Sequence, residues 1–138
     1  MKLIRLVYYS IASSEMTMMD LKGILDVARK NNGSRDLTGM LCYDNEYFLQ
    51  ILEGEPSEVT DLFLTIGRDE RHHQVTIMGV QSIDKRAFGN WDMGYAGSSE
   101  KMQEQMQALD MESFNPTVLS VKQAALLLYE LSKAQTPV

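Results

Sequence analysis

Residues 37–56 read LTGMLCYDNEYFLQILEGEP, and this stretch decides the fold. Two apolar runs, 37–44 and 47–53, flank Asp44-Asn45-Glu46, a pattern that predicts a β-hairpin. Alternation along the second run puts Phe48, Gln50 and Leu52 on one face and Tyr47, Leu49 and Ile51 on the other. Both sets are largely apolar, so both faces of the sheet need cover.

Upstream, residues 3–10 (LIRLVYYS) predict a strand. Thr17 then opens a helix, with Asp20 completing an approximate capping box. Met18, Leu21, Ile24, Leu25 and Ala28 recur at helical spacing. Arg29 and Lys30 fall in the expected last turn, and Gly33 is the expected stop. Downstream, Pro56 begins a second helix whose Val59, Leu62, Phe63 and Ile66 form one apolar stripe. Residues 74–84 and 92–96 predict the last two strands, with Trp91 and Met93 assigned to the final one. The order βαββαββ predicts an α+β fold, a ferredoxin-like mixed sheet with the first two helices on one face.

After Gly97 the pattern changes. Ser98 and Ser99 precede a helix starting at Glu100, and Asn115-Pro116 opens another that carries Val118, Leu119, Ala125, Leu128 and Leu131. This helical pair is expected to cover the second face. Residues 1–97 therefore read as the functional domain and 98–138 as a helical cap or output extension.

The chain has 138 residues, 44% hydrophobic and 23% charged, as expected of one globular domain. Its single cysteine, Cys42, forms no internal disulfide. No signal peptide is legible, and no run approaches the roughly 20 apolar residues of a membrane span. These features predict a cytoplasmic protein that does not act at a membrane. The net charge of −6 argues against nucleic-acid binding, which needs cations to neutralise phosphates. Small basic clusters at Arg29, Lys30 and Arg35, and at Arg68, Arg71, His72 and His73, suit one phosphorylated small ligand.

Three polar residues stand among apolar neighbours. Tyr8 shares a strand face with Ile4 and Leu6, Gln50 shares one with Phe48 and Leu52, and Asn32 ends the first helix beside Asn31. A helix layer over the first two would bring all three together. Phenol and carboxamide groups both donate and accept hydrogen bonds. A planar heterocycle ringed by donors and acceptors would satisfy them, and so would backbone groups.

The strand carrying Tyr8, the helix ending Asn31-Asn32, the stretch at 37–56 and the segment NWDMGY at 90–95 together resemble the BLUF family over roughly residues 2–97. The resemblance implies a blue-light photoreceptor with noncovalently bound FAD, or FMN in its place, and not an enzyme. By match to the family, Ile24 and Ile66 clamp the flavin ring, Asn32 binds its pyrimidine edge, and Phe48 and Leu41 line the pocket. Arg29, Lys30, Arg71 and His72 become candidates for the phosphate region. Tyr8 is then the electron and proton donor, and Gln50 rotates or tautomerises to record the event. Trp91 and Met93 would relay it, although spacing alone also allows both an ordinary core role. Ala28 departs from the serine that several members carry. Output is expected to pass to a separate regulator-type protein partner, or through a homo-oligomer formed by the C-terminal helices.

Three other readings stay open on residues alone. A flavin reductase would need a nicotinamide or substrate site, and no GxGxxG follows a strand. An acylphosphatase-like hydrolase would need a basic anion loop after the first strand, where this chain has IASSEMTM. A ligand-free interaction module predicts a colourless protein.

Overall fold

The computed structural model describes residues 2–97 and 99–134. Strand β1 (Leu3–Ala12) leads to α1 (Met18–Ser34), then β2 (Thr38–Asp44), β3 (Tyr47–Gly54), α2 (Pro56–Gly67), β4 (His72–Ile83) and β5 (Gly94–Ala96). The cap follows as α3 (Glu100–Ala108), a 3-10 turn at Pro116–Val118, and α4 (Val121–Lys133). The strands lie in the order β4-β1-β3-β2-β5. The β5–β2 pair is parallel and the others antiparallel, so the sheet is mixed and the fold α+β, as expected.

The hairpin turns over Asn45 and Glu46, both at positive φ (49° and 71°), between the paired Asp44 and Tyr47. A two-residue turn with both φ positive matches the twist of the strands it joins. Asn45 also donates from Nδ2 to the Phe114 carbonyl at 2.9 Å, tying the turn to the cap.

Two apolar layers sandwich the sheet. Under α1 and α2 lie Leu6, Tyr8, Leu25, Leu41, Phe48, Leu52 and Val59. On the opposite face Val7, Met40, Leu49 and Ile51 pack with Met102, Leu127 and Leu128 of the cap. Each such side chain stabilises the fold by roughly 1.5–3 kcal/mol when buried. The period-2 alternation of β3 therefore divides into two cores, as both-sided apolarity requires.

Several local expectations need correction. Helix α1 runs through Gly33 to Ser34. Gly33 has no positive φ; Asp36 (φ 55°) makes the reversal instead, while the Asn32 carbonyl accepts from the Arg35 and Leu37 amides. Arg29 and Lys30 consequently lie before the last turn, which carries no basic residue. Strand β4 begins at His72 rather than 74, because Ala12 and Ile11 extend β1 to pair with His72 and His73. Strand β5 is only three residues long, so Trp91 and Met93 precede it. Gly94 opens it, where a Cβ would overlap Met40 and the Trp91 ring. Pro116 starts only a 3-10 turn, and α4 begins after Ser120, whose side chain forms a capping box with Gln123. The Thr17–Asp20 capping box of α1 is present as expected. Ser99 caps α3, whereas Ser98 and residues 135–138 lie outside the described residues. No helix among the described residues is long and apolar enough to cross a membrane.

Candidate functional site

The antiparallel register sets Tyr8 of β1 opposite Gln50 of β3, and Leu41 of β2 opposite Gln50 on its other side. All three face α1 and α2. Tyr8 is 2% exposed and Gln50 5%. The Tyr8 hydroxyl donates to Oε1 of Gln50. The Gln50 amide donates from Nε2 to the Met93 sulfur at 3.3 Å, a weak acceptor. Burial pushes the Tyr8 phenol well above its ordinary range, and the Asp69 carboxylate adds to the rise. Tyr8 is thus a neutral hydrogen-bond donor at physiological pH. Its ring meets Phe63 edge-on, with centroids 5.4 Å apart.

Asn32 stands near the C-terminal end of α1, fully buried. Its Nδ2 donates to the Asp92 carbonyl at 2.9 Å, but its buried Oδ1 has no partner. An orphaned buried acceptor costs about 1–3 kcal/mol. A cleft of about 160 Å³ runs past it between α1, α2 and the sheet. Tyr8, Gln50, Leu41 and Phe48 line the sheet side, Ile24, Ala28, Asn31 and Asn32 the α1 side, and Ile66 the α2 side.

At the same cleft, His72 joins two elements. Its Nε2 lies 2.6 Å from the Ile66 carbonyl, so this nitrogen carries the hydrogen and donates. The Ser10 hydroxyl is hydrogen-bonded to Nδ1 at 2.7 Å. Arg71 pairs with Asp69 beside it, and that pairing holds the Asp69 carboxyl below its ordinary range.

Tyr8, Gln50, Asn31, Asn32, Ile24, Ile66, Phe48, Leu41, Arg71 and His72 are therefore brought to one cleft. Four other residues are placed differently. Lys30 is exposed and does not line the cleft. Arg29 turns away from it and donates from Nε to the Met93 carbonyl at 2.9 Å. Met93 packs in the α1/α2 layer beside Gln50, while Trp91 packs in the cap layer on the far side of the sheet.

Sequence reasoning missed Val27, Leu62, Thr65 and Asp69 as lining residues. Leu62 was legible on the apolar stripe of α2, whereas exposed Val27 and Thr65 carried no signal. It also missed Glu53, fully buried on β3. Glu53 accepts from Arg5 Nε and Nη2 (3.0 and 2.8 Å) and from the Ala87 and Phe88 amides (3.0 and 2.9 Å). A lone carboxylate at the end of an apolar strand was its signal.

A larger cavity of about 500 Å³ lies on the cap side, lined by Val7, Gly79, Phe88, Val121 and Leu126. No orphaned buried side-chain atom of the described residues points to a ligand there, as Asn32 does at the smaller cleft.

The family model for BLUF, sensors of blue-light using FAD, matches residues 3–94. The chain is 38% identical over 89 residues to photoactivated adenylate cyclase subunit alpha of Euglena gracilis, covering 64% of this chain but only 9% of that protein. Its fold matches the photo-activated state of BlsA with a TM-score of 0.89 and 32% identity over 97% of both chains. The dark-state structure of BlrB matches with a TM-score of 0.80 and 25% identity over 96% of both.

Proposed function

The chain belongs to the BLUF family, sensors of blue-light using FAD, and from that membership we infer a photoreceptor that seats FAD in the cleft between α1, α2 and the sheet. The observation that carries this reading is the orphaned Oδ1 of Asn32. A flavin ring edge bears an N–H that this acceptor can take, and carbonyls suited to amide donors. Asn31 and Asn32 hold that edge, Ile24 and Ile66 supply the apolar walls, and Leu41 and Phe48 form the floor. Arg71 and His72 lie toward the phosphate end.

Bound FAD supplies light absorption and the redox chemistry. The protein supplies a phenol and a carboxamide in contact. Tyr8 would lend an electron and a proton to the light-excited flavin and recover both on recombination, so the flavin ends oxidised; burial keeps that proton on the phenol oxygen, and its hydrogen bond aims it at Gln50. Gln50 is the switch. Reversing its amide puts NH2 against the Tyr8 oxygen and Oε1 on the side now held by Nε2. The reversal exchanges the bond from the Tyr8 hydroxyl for one donated to the Tyr8 oxygen, gives up the weak one to the Met93 sulfur, and moves no backbone. Residues 91–96 then carry the change toward the cap at 98–138. From there it passes to a regulator-type protein partner or a second copy of the chain, in the cytoplasm and without turnover of a substrate.

The test is an absorption spectrum of the FAD-loaded protein before and after blue light. A reversible red shift with the flavin still oxidised is expected. A spectrum indifferent to light defeats the reading, and rapid bleaching by a nicotinamide reductant points to a reductase instead.

A further inference from the structure

Three successive carbonyls of an irregular segment are each held from outside it. The Trp91 carbonyl accepts from the Gly39 amide at 3.1 Å. The Asp92 carbonyl accepts from Asn32 Nδ2 and the Met93 carbonyl from Arg29 Nε, both at 2.9 Å. Arg29 and Asn32 are three apart and so share one face of α1. The segment runs into the edge strand β5 and reaches both layers, with the Trp91 side chain in the cap layer and that of Met93 beside Gln50. Before Gly94 it has no ladder partner, so these tethers add to the buried Trp91 and Met93 side chains in setting its position.

We infer that Arg29 is a positioning strut that makes the placement of Met93 against Gln50, and of Trp91 in the cap layer, a property of helix α1. The chemistry suits that task. A guanidinium stays charged at any physiological pH, and its bond to a carbonyl is charge-assisted. A shift of α1 moves Asn32 at the cleft and Arg29 at Met93 together, so the state of the cleft reaches the segment that leads into β5. The kinetic part of this inference rests on Gln50 as the switch; the structural part does not.

Side-chain length offers a matched pair of variants. The Nε2 of a glutamine follows as many bonds as the Nε of arginine, so Arg29→Gln keeps a donor at the bonding position and loses the charge. Arg29→Met keeps the stem and loses the donor. Both are made in the full, FAD-loaded chain. Trp91 is the only tryptophan, so its quenching by acrylamide reports this segment.

Arg29→Met is expected to retain FAD, to make Trp91 more quenchable in the dark, and to speed dark recovery about tenfold, equivalent to about 1.4 kcal/mol off the barrier. Arg29→Gln is expected to restore both properties. Unchanged Trp91 quenching in Arg29→Met overturns the inference. So does an Arg29→Gln that behaves like Arg29→Met. So does a loss of FAD affinity with riboflavin affinity intact, which would make Arg29 a phosphate ligand. If the wild-type protein ignores light, the photoreceptor reading fails and the Trp91 quenching alone decides on the strut.

Discussion

Tyr8 and Gln50 are direct cross-strand partners, and the Tyr8 phenol donates to the Gln50 carbonyl oxygen inside the core. The two ends of the Gln50 amide therefore have unequal partners: a buried hydroxyl on one side and a thioether sulfur on the other. A strand pair fixes the backbone beneath them, so any rearrangement is confined to the side chains. That combination of a rigid frame and one reversible amide is what a two-state element needs.

Tyr8→Phe isolates the donor. It removes one hydroxyl and leaves Gln50 Oε1 buried without its bond, a cost of about 1–3 kcal/mol. The variant is expected to fold and bind FAD, to unfold at lower urea, and to lose the light-induced red shift. A normal red shift in Tyr8→Phe removes Tyr8 from the mechanism.

The same residue predicts an alkaline effect. The folded-state value of Tyr8 is raised above the ordinary 10.0. Above pH 10.0 the unfolded chain sheds this proton while the folded protein keeps it, so stability is full below that pH and falls as pH rises. Buried Cys42 is also raised, and Tyr95 is pushed up to about 12, so they steepen the same fall. Urea midpoints followed from neutral pH to about 12 should therefore fall less steeply above pH 10 in Tyr8→Phe than in the wild type. Equal slopes would place Tyr8 in water rather than in the core.

Asn32→Ala tests the cofactor site. The substitution deletes the orphaned acceptor along with the bond to the Asp92 carbonyl. FAD affinity is expected to fall on the order of tenfold, about 1.4 kcal/mol. The flavin-free protein should lose little stability, because the lost bond, about 1 kcal/mol, is offset by relief of the orphaned acceptor. Titration of FAD into apoprotein, with urea unfolding alongside, checks both expectations. Unaltered affinity would locate the flavin elsewhere.

Residues 37–56 disclosed the sheet because a period of two survives any context, and both-sided apolarity demanded two covering layers. The site was legible to the same degree. Tyr8 and Gln50 are polar residues on apolar strand faces, and strand register brings them together. What the sequence withheld depends on loops. Residues 84–93 have no periodicity, so nothing local shows that Trp91 and Met93 point into opposite layers. The bond from Arg29 to the Met93 carbonyl was hidden because charge is visible in a sequence and direction is not. Gly33 looked like a helix stop, but an Asp tolerates the left-handed conformation and took the turn at Asp36.

Glu53→Ala tests whether the buried carboxylate organises that loop. Glu53 is fully buried, pairs with Arg5, and collects the Ala87 and Phe88 amides. Removing it leaves Arg5 and two amides without an acceptor, a cost of about 3–5 kcal/mol. The variant should unfold at much lower urea. Protection of the Ala87 and Phe88 amides against hydrogen exchange should drop before global unfolding. Full protection in a folded Glu53→Ala protein would show that the loop is held by its apolar contacts alone.

Cutting the chain after residue 97 tests the cap. Val7, Met40, Leu49 and Ile51 are at most 1% exposed, and they share their core with Met102, Met106, Leu127 and Leu128. Without residues 98–138 that face becomes a contiguous apolar surface, of the kind that associates in water. The truncated chain is expected to self-associate or precipitate, and light scattering checks this. A single substitution gives a graded version. Leu128→Ala removes a fully buried side chain of α4 and should cost about 2–5 kcal/mol. It leaves the Tyr8–Gln50 face untouched, so the light-induced red shift should survive at temperatures where Leu128→Ala remains folded. A monomeric, soluble truncation would mean that the cap contributes little to burial, and that residues 1–97 close their own second face.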